Sequence, residues 1–169
     1  MTTTAAPDIG TTTQVYRIFI KATPKAIWDA ITKPEWTEKW GYGLRDQYDL
    51  RVGGQYRGMA TDSMKAFGLE GVIVDGEVLE VNAPHKLVIT WRMYVDQAMR
   101  NEGFTRLTYE IEEGRDGVSK LSLFHDVSGT PGHAAMVAGD KQGPGTGAGW
   151  TWILSDLKSM LERGKPMAQ

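Results

Sequence analysis

His125 has the widest chemical repertoire of any residue in this chain. Leu121, Leu123 and His125 occupy alternate positions of one segment, and strand side chains repeat every two residues. If the two leucines face the interior, the imidazole does too. An imidazole there could orient a ligand or transfer a proton, because it titrates near neutral pH. It could equally be a core histidine whose nitrogens are hydrogen-bonded within the protein.

Two other strand segments and the last helix are predicted to add side chains to the same interior wall. By alternation and helical period, the inward residues are Trp91, Met93, Tyr109, His125, Trp150 and Leu154. This set favours an apolar cavity in which His125 and Tyr109 orient a ligand. The alternative is that these side chains only pack a core.

Catalysis has weak support, with His125 and Tyr109 as its only candidates. No nucleophile or carboxylate partner lies near His125 in sequence, and Asp126 points to the opposite face of a regular strand. The residues therefore favour a binding protein over an enzyme.

Two further patterns suggest cofactors, and both are rejected. The glycine-rich segment over residues 143–149 follows no buried parallel strand, Pro144 removes an amide donor, and no Lys-Ser/Thr pair follows. His85, His125 and His133 fall on a turn, a strand and a loop without metal-ligand spacing. We expect no cofactor and no metal.

The chain is organised around a helix predicted over residues 147–164. Trp150, Leu154 and Leu157 recur at the helical period and form an apolar stripe, while Asp156 falls on the opposite face. Gly164 is suited to ending the helix. Such a stripe needs an apolar surface, and the preceding segments are predicted to be strands.

Two short helices are predicted after a first strand over residues 14–21, which is apolar enough for both of its faces to be covered. Thr23 and Pro24 begin the first helix. The second contains Trp36 and Trp40, which either form a rim that contacts ligands or pack beneath the first helix.

About six strands follow, separated by turns, with an irregular stretch over residues 62–70. A long glycine-rich loop over residues 128–149, expected to be mobile, precedes the last helix. The charges at Arg45, Asp46, Asp49 and Arg51 are predicted to form a solvated strand surface. Successive hairpins and one long helix indicate an α+β fold.

Composition limits the functional classes. The 169 residues carry a net charge of −2, contain no cysteine and form no apolar run long enough to span a membrane. Nucleic acid and membranes are therefore not expected as partners, and the expected location is the cytoplasm. A homodimer is compatible with the sequence, although nothing in it requires one. We expect one domain over residues 14–164, with tails over 1–13 and 165–169.

Six motifs in order resemble the START-like, helix-grip (SRPBCC) superfamily, within it the branch of heat-shock-protein-90 ATPase activator C-terminal-like domains. They lie at residues 22–40, 51–56, 76–84, 87–91, 121–125 and 149–161, and the second of them ends at Tyr56. The resemblance implies a curved antiparallel sheet wrapped around the long C-terminal helix. It also implies an apolar cavity between sheet and helix, edged by the short helices.

The resemblance extends the candidate site. Tyr56, Trp36 and Trp40 join the interior residues as predicted ligand contacts. The expected function is binding of a small hydrophobic or aromatic molecule in the internal cavity. The alternatives are a polyketide cyclase-like or hydrolase-type enzyme using the same cavity, and a co-chaperone-like module acting through its surface. Members with a chaperone link usually carry a further N-terminal domain.

Overall fold

The computed structural model of the protein describes residues 12–139 and 149–167, which form seven strands and six helices. In chain order these elements are β1 (Thr13–Ile20), α1 (Pro24–Thr32), α2 (Pro34–Thr37), β2 (Arg45–Tyr48), β3 (Gln55–Met59), α3 (Asp62–Ala66), β4 (Val72–Asn82), β5 (Lys86–Met93), α4 (Gln97–Glu102), β6 (Thr105–Glu113), β7 (Ser119–Asp126), α5 (Pro131–Ala138) and α6 (Gly149–Arg163).

The strands form one antiparallel sheet in the order β1-β7-β6-β5-β4-β3-β2. The sheet is curved, and α6 lies against its inner face. The predicted α+β helix-grip fold, with two short helices after the first strand, is confirmed.

The first helix begins where the sequence predicts. Thr23 Oγ1 accepts a hydrogen bond from the amide of Ala26 at 3.1 Å, and Pro24 occupies the first turn. This arrangement satisfies an amide that would otherwise lack a partner at the helix start. Ile27 and Ile31 are buried on the face toward the core.

Helix α6 buries its predicted stripe, since Trp150, Leu154 and Leu157 are all nearly inaccessible. The prediction that Asp156 lies on the solvent face is wrong. Its carboxylate is buried and accepts hydrogen bonds from the amides of Gly41, at 2.7 Å, and Met167, at 2.5 Å. Asp156 therefore ties α6 to the segment after α2 and to the chain that follows the helix.

Strand β1 is an edge of the sheet, and the expectation that both of its faces are covered is wrong. Val15 is 43% exposed and Phe19 is 61% exposed on the outer face. At the end of the strand, Lys158 Nζ donates to the carbonyl of Phe19 at 2.6 Å, and Glu162 Oε1 accepts from the amide of Lys21 at 2.8 Å. Two side chains of α6 thus satisfy backbone groups at the end of β1.

Two stretches predicted to be irregular contain helices. Helix α3 lies within residues 62–70, and α5 lies within the predicted loop over residues 128–149. Pro131 occupies the first turn of α5, a position where its missing amide hydrogen costs nothing. Residues 140–148, to which the predicted mobility also applied, fall outside the described residues. None of the helices described is long and apolar enough to cross a membrane.

Candidate functional site

A compact aromatic group surrounds His125 at the β7 end of the interior. We call Trp91, Thr105, His125 and Trp150 the histidine cluster. The His125 ring lies edge-on to Trp91 at 5.1 Å between centroids and to Trp150 at 5.9 Å. All four residues are buried. Strand pairing positions Trp91 opposite Thr105 and Leu107 opposite His125, so the two-residue period brings the cluster together.

Both nitrogens of His125 have partners inside this cluster. Trp150 Nε1 donates to Nδ1 at 2.9 Å, so the ring proton is on Nε2, which faces Thr105 Oγ1 at 2.7 Å. Thr105 in turn donates to the carbonyl of Trp91 at 2.7 Å. Burial, reinforced by nearby His133, lowers the pKa of His125 to about 3. His125 is therefore a neutral, fully hydrogen-bonded core residue at physiological pH.

This geometry argues against a ligand or proton-transfer role for His125. A ligand could reach either nitrogen only by displacing Trp150 or Thr105, and neither nitrogen is available as an acid or base in this arrangement. Leu154 and Trp91 lie in the same buried core. The core interpretation of these residues is the one their contacts favour.

His133, predicted to lie on a loop, lies on α5 with its side chain fully buried. Its Nδ1 donates to Glu102 Oε2 at 2.6 Å, and its Nε2 accepts from the amide of Met93 at 3.1 Å. The amides of Gly132 and His133 donate to Glu102 as well. Burial alone would raise the pKa of Glu102, but these hydrogen bonds lower it. The pair connects α4, α5 and β5.

The prediction that the second short helix contains Trp40 is wrong, because α2 ends at Thr37. The rim residues Trp36 and Trp40 are both half-buried. Trp40 Nε1 donates to the carbonyl of Ala30 at 3.0 Å, which fixes that ring beneath α1. The ammonium of Lys39 lies 4.6 Å from the centroid of the Trp36 ring, a cation–π contact. Trp40 thus has a packing role, and Trp36 keeps part of its surface accessible.

A second polar group lies at the β2 end of the interior and was missed by the sequence reasoning. We call Asp46, Tyr48, Tyr56 and Tyr109 the aspartate cluster. Tyr48 pairs with Tyr56 across β2 and β3, and the two rings stack at 4.4 Å. The prediction that Asp46 belongs to a solvated surface is wrong. Along β2, Arg45 and Gln47 face outward, whereas Asp46 and Tyr48 face inward.

Asp46 has room because its cross-strand neighbour is a glycine. A methyl group added at Gly58 would lie 2.9 Å from Asp46 Oδ1 and 3.3 Å from both Leu44 Cδ1 and Val74 Cβ. The backbone amide of Asp46 donates to Thr37 Oγ1 at 2.9 Å. The carboxylate therefore lies over bare backbone with aliphatic groups beside it.

The electrostatics of the aspartate cluster follow from this burial. Burial raises the pKa of Asp46 to about 7, although a polar contact with the Tyr56 side chain opposes the shift. Burial also raises the pKa values of Tyr48, Tyr56 and Tyr109 above their ordinary range, and the charge of Asp46 adds to this. The three hydroxyl groups stay protonated.

Hydrogen-bond satisfaction distinguishes the two clusters. Within residues 12–139 and 149–167, two buried side-chain oxygens lack a hydrogen-bond partner, Tyr42 Oη and Asp46 Oδ1. Both are on the segment that joins α2 to β2 and continues into it. The Tyr42 ring stacks on Trp152 of α6 at 5.7 Å between centroids. Alternation along β2 was the signal for Asp46, and four residues are too few to display it clearly.

Two open clefts lie at the surface. One, of about 510 Å³, has Arg57, Leu69, Tyr94 and Arg100 among its lining residues. The other, of about 520 Å³, lies between α6 and the segment after α2 and is lined by Trp40, Tyr42 and Met160, among others. Neither cleft is lined by residues of the histidine cluster or of the aspartate cluster. Within the described residues, no three His, Asp or Glu side chains are grouped to hold a metal ion.

Comparison with known proteins gives one family and many structures. The model of the family described as activator of Hsp90 ATPase homolog 1-like protein matches residues 21–162. No functionally curated protein matches the chain.

Three solved structures illustrate the structural similarity. A protein from Mesorhizobium loti is 21% identical with a TM-score of 0.66, over 89% of this chain and 97% of that one. An Hsp90 activator from Plasmodium falciparum is 22% identical with a TM-score of 0.53, over 69% and 74%. CalU16 from Micromonospora echinospora is 21% identical with a TM-score of 0.51, over 69% of this chain and 60% of its own length.

Proposed function

This chain belongs to the activator of Hsp90 ATPase homolog 1-like family, and we propose that it binds a small hydrophobic or aromatic molecule between the sheet and α6. The aspartate cluster is the single observation that carries this proposal. It combines stacked tyrosines with an interior oxygen that the protein leaves without a hydrogen-bond donor. Binding sites for small molecules are mostly apolar and contain a few polar groups that fix the ligand.

The partly buried side chains support the β2 end as the place of binding. Leu44 and Tyr48 pack against the core while retaining some exposure, whereas His125 and the rings of Trp91 and Trp150 are buried. Among the predicted contacts, Tyr56, Tyr109, Met93 and Trp36 remain candidates for the ligand site. Trp91, His125, Trp150 and Leu154 form the packed base beneath it.

The proposal is tested with a probe that has no hydrogen-bond donor, 2-methoxynaphthalene, titrated calorimetrically. Leu44→Trp adds volume beside Gly58, close to Asp46. Val52→Trp makes the same kind of change at a position that is 68% exposed in the same hairpin and serves as the control. We expect binding to the unaltered protein, a loss of about tenfold or more in Leu44→Trp, and no change in Val52→Trp.

Equal effects of the two variants, or no binding to the unaltered protein, would contradict interior binding. Circular dichroism on both variants separates a filled site from an unfolded chain. A catalytic role in the same cavity would instead appear as chemical conversion of the bound molecule, which the recovered probe reveals by mass spectrometry.

The family's name favours a second candidate, stimulation of an Hsp90-type ATPase. This function would use the outer surface and would not depend on the interior. The measurement is the ATPase rate of Hsp90 with and without the protein. Under this second function the rate rises, and Leu44→Trp stimulates as well as the unaltered protein does.

A further inference from the structure

Asp46 differs from the other inward or buried aspartates in the described part of the chain. Asp156 receives two amide hydrogens, and Asp75 receives two hydrogen bonds from Arg92. Asp46 is in contact with the Tyr56 side chain, but its Oδ1 is inaccessible to solvent and receives no hydrogen bond. Leaving a buried acceptor without a donor is costly, so an unpaired one calls for an explanation.

Asp46 Oδ1 has no hydrogen-bond partner, although the Tyr56 hydroxyl makes a polar contact with the same carboxyl group. Gly58 opposite has no side chain, and the space beside its Cα is bordered by Asp46 Oδ1 and by aliphatic carbons of Leu44 and Val74. The amide of Asp46 is already bonded to Thr37. The rings of Tyr48 and Tyr56 in the same cluster stack on each other. The oxygen therefore lies among apolar and aromatic groups.

A metal ion does not account for this oxygen. No further His, Asp or Glu side chain joins Asp46 in a group of three within residues 12–139 and 149–167. One carboxylate with three tyrosines is a poor donor set for Mg²⁺ and Ca²⁺, which take six or more oxygen ligands, and it offers no imidazole or thiolate for Zn²⁺. A hydrogen-bond donor on an apolar molecule fits these surroundings better.

We propose that Asp46 selects ligands that have an apolar or aromatic body and one hydroxyl or amino group, which donates to Asp46 Oδ1. This inference rests on the proposed interior binding and names its ligand class. Acidic molecules, such as fatty acids and aromatic carboxylates, are disfavoured because they bring a second negative charge to a buried carboxylate. The Tyr48–Tyr56 stack supplies the flat contact surface for the body of the ligand.

Three probes of the same ring system test the selection: 2-naphthol, 2-methoxynaphthalene and 2-naphthoate, titrated calorimetrically at about pH 8.5, where Asp46, with its pKa of about 7, is ionised. We expect 2-naphthol to bind about tenfold more tightly than the methyl ether, since a buried hydrogen bond changes affinity by that order. We expect 2-naphthoate to bind more weakly than both. In Asp46→Leu the preference for 2-naphthol and the penalty on 2-naphthoate both disappear, while the methyl ether binds as before.

Two controls keep the test decisive. Asp49→Asn removes a half-exposed carboxylate in the same hairpin and leaves the order of the three probes unchanged. Asp46→Asn keeps the shape of the side chain and is used if Asp46→Leu fails to fold. It is expected to abolish the penalty on 2-naphthoate.

Thermal unfolding without ligand gives a further readout. Asp46→Leu should melt about 2–4 °C higher than the unaltered protein, because it removes an unpaired buried polar group. A lower melting temperature would assign Asp46 a structural role and overturn the inference.

The outcomes separate the two proposals. A preference for 2-naphthol that persists in Asp46→Leu, or tightest binding of 2-naphthoate, overturns the role of Asp46 and leaves interior binding intact. If none of the three probes binds the unaltered protein, interior binding itself fails and this inference fails with it.

Discussion

At the β7 end of the interior both nitrogens of His125 have partners, whereas at the β2 end Asp46 Oδ1 has none. The histidine cluster encloses its polar atoms in a chain of hydrogen bonds that ends on a backbone carbonyl. The aspartate cluster stacks its rings but leaves an acceptor open. The buried polar groups therefore differ between the two ends: those at the first fix the core, and those at the second include the acceptor to which we propose that a ligand donates.

Tyr109 connects the two regions. Its ring lies edge-on to Trp150 at 6.4 Å, and the charge of Asp46 contributes to raising the pKa of its hydroxyl. The sheet thus carries one continuous inner face on which satisfied and unsatisfied polar groups are neighbours. Proteins retain such local costs at functional sites, where stability is sacrificed to a binding group.

The largest difference in stability between the two ends is expected when a side chain of each cluster is replaced by alanine. His125→Ala removes a fully buried ring and leaves the Trp150 indole without an acceptor, so it should lower the free energy of unfolding by about 3–5 kcal/mol. Tyr48→Ala, at a half-buried ring, should cost about 1–3 kcal/mol. Urea denaturation of both variants measures the difference. Equal losses would mean that the β2 end is packed as tightly as the β7 end.

Gly58→Ala tests whether the space beside Asp46 is needed. The added methyl would lie 2.9 Å from Asp46 Oδ1, a contact that forces one of the two groups to move. We expect a loss of about 1–3 kcal/mol, which is usual for overpacking. In an Asp46→Ala background the same change should cost less, because the crowded oxygen is gone. An undiminished cost in the double variant would assign the strain to Val74 and Leu44 instead.

The two clusters should also change the stability of the protein in opposite directions as the pH is lowered. The pKa of His125 falls from about 6.5 to about 3 on folding. Its contribution to the free energy of unfolding is therefore fully present above about pH 6.5 and is lost as the pH falls toward 3. The pKa of Asp46 rises from 3.8 to about 7, so its contribution is full below about pH 4 and is lost as the pH rises through 7. The tyrosines facing Asp46 from β2, β3 and β6 stay neutral throughout this range.

Between pH 4 and 6.5 the two contributions to stability change in opposite directions and partly cancel. Each changes by at most about 1.4 kcal/mol per pH unit. Asp46→Asn should therefore lose stability more steeply on acidification than the unaltered protein. His125→Phe should gain stability on acidification. Thermal unfolding from pH 4.5 to 8 measures all three proteins. Parallel profiles would show that neither group is buried as described.

The sequence predicts the β7 end well because period-two alternation over eight residues distinguishes the inward from the outward side chains. His125 and the aromatic wall are therefore predictable from local pattern. Their hydrogen bonds are not, since Thr105 and Trp150 lie 20 and 25 residues away from His125 and meet it only through strand register and the position of α6.

The β2 end is poorly predicted for the opposite reason. Asp46 lies among charged neighbours on a four-residue strand, so composition indicates a solvated surface. Its inward direction depends on pairing with Gly58, which no local pattern reveals. Helix α5 is missed because its small residues form no apolar stripe and glycine-rich sequence follows it.

The contact between Lys158 and the carbonyl of Phe19 has a consequence for aggregation. An edge strand offers free backbone groups with which another chain can pair. The exposed apolar side chains of Val15 and Phe19 would stabilise such pairing. Lys158 and Glu162 form hydrogen bonds with the backbone groups at the end of β1, and they also place charged side chains there. At the other edge of the sheet, β2 is short and turns Arg45 and Gln47 outward. Helix α6 thus helps to keep the sheet from growing beyond its seven strands.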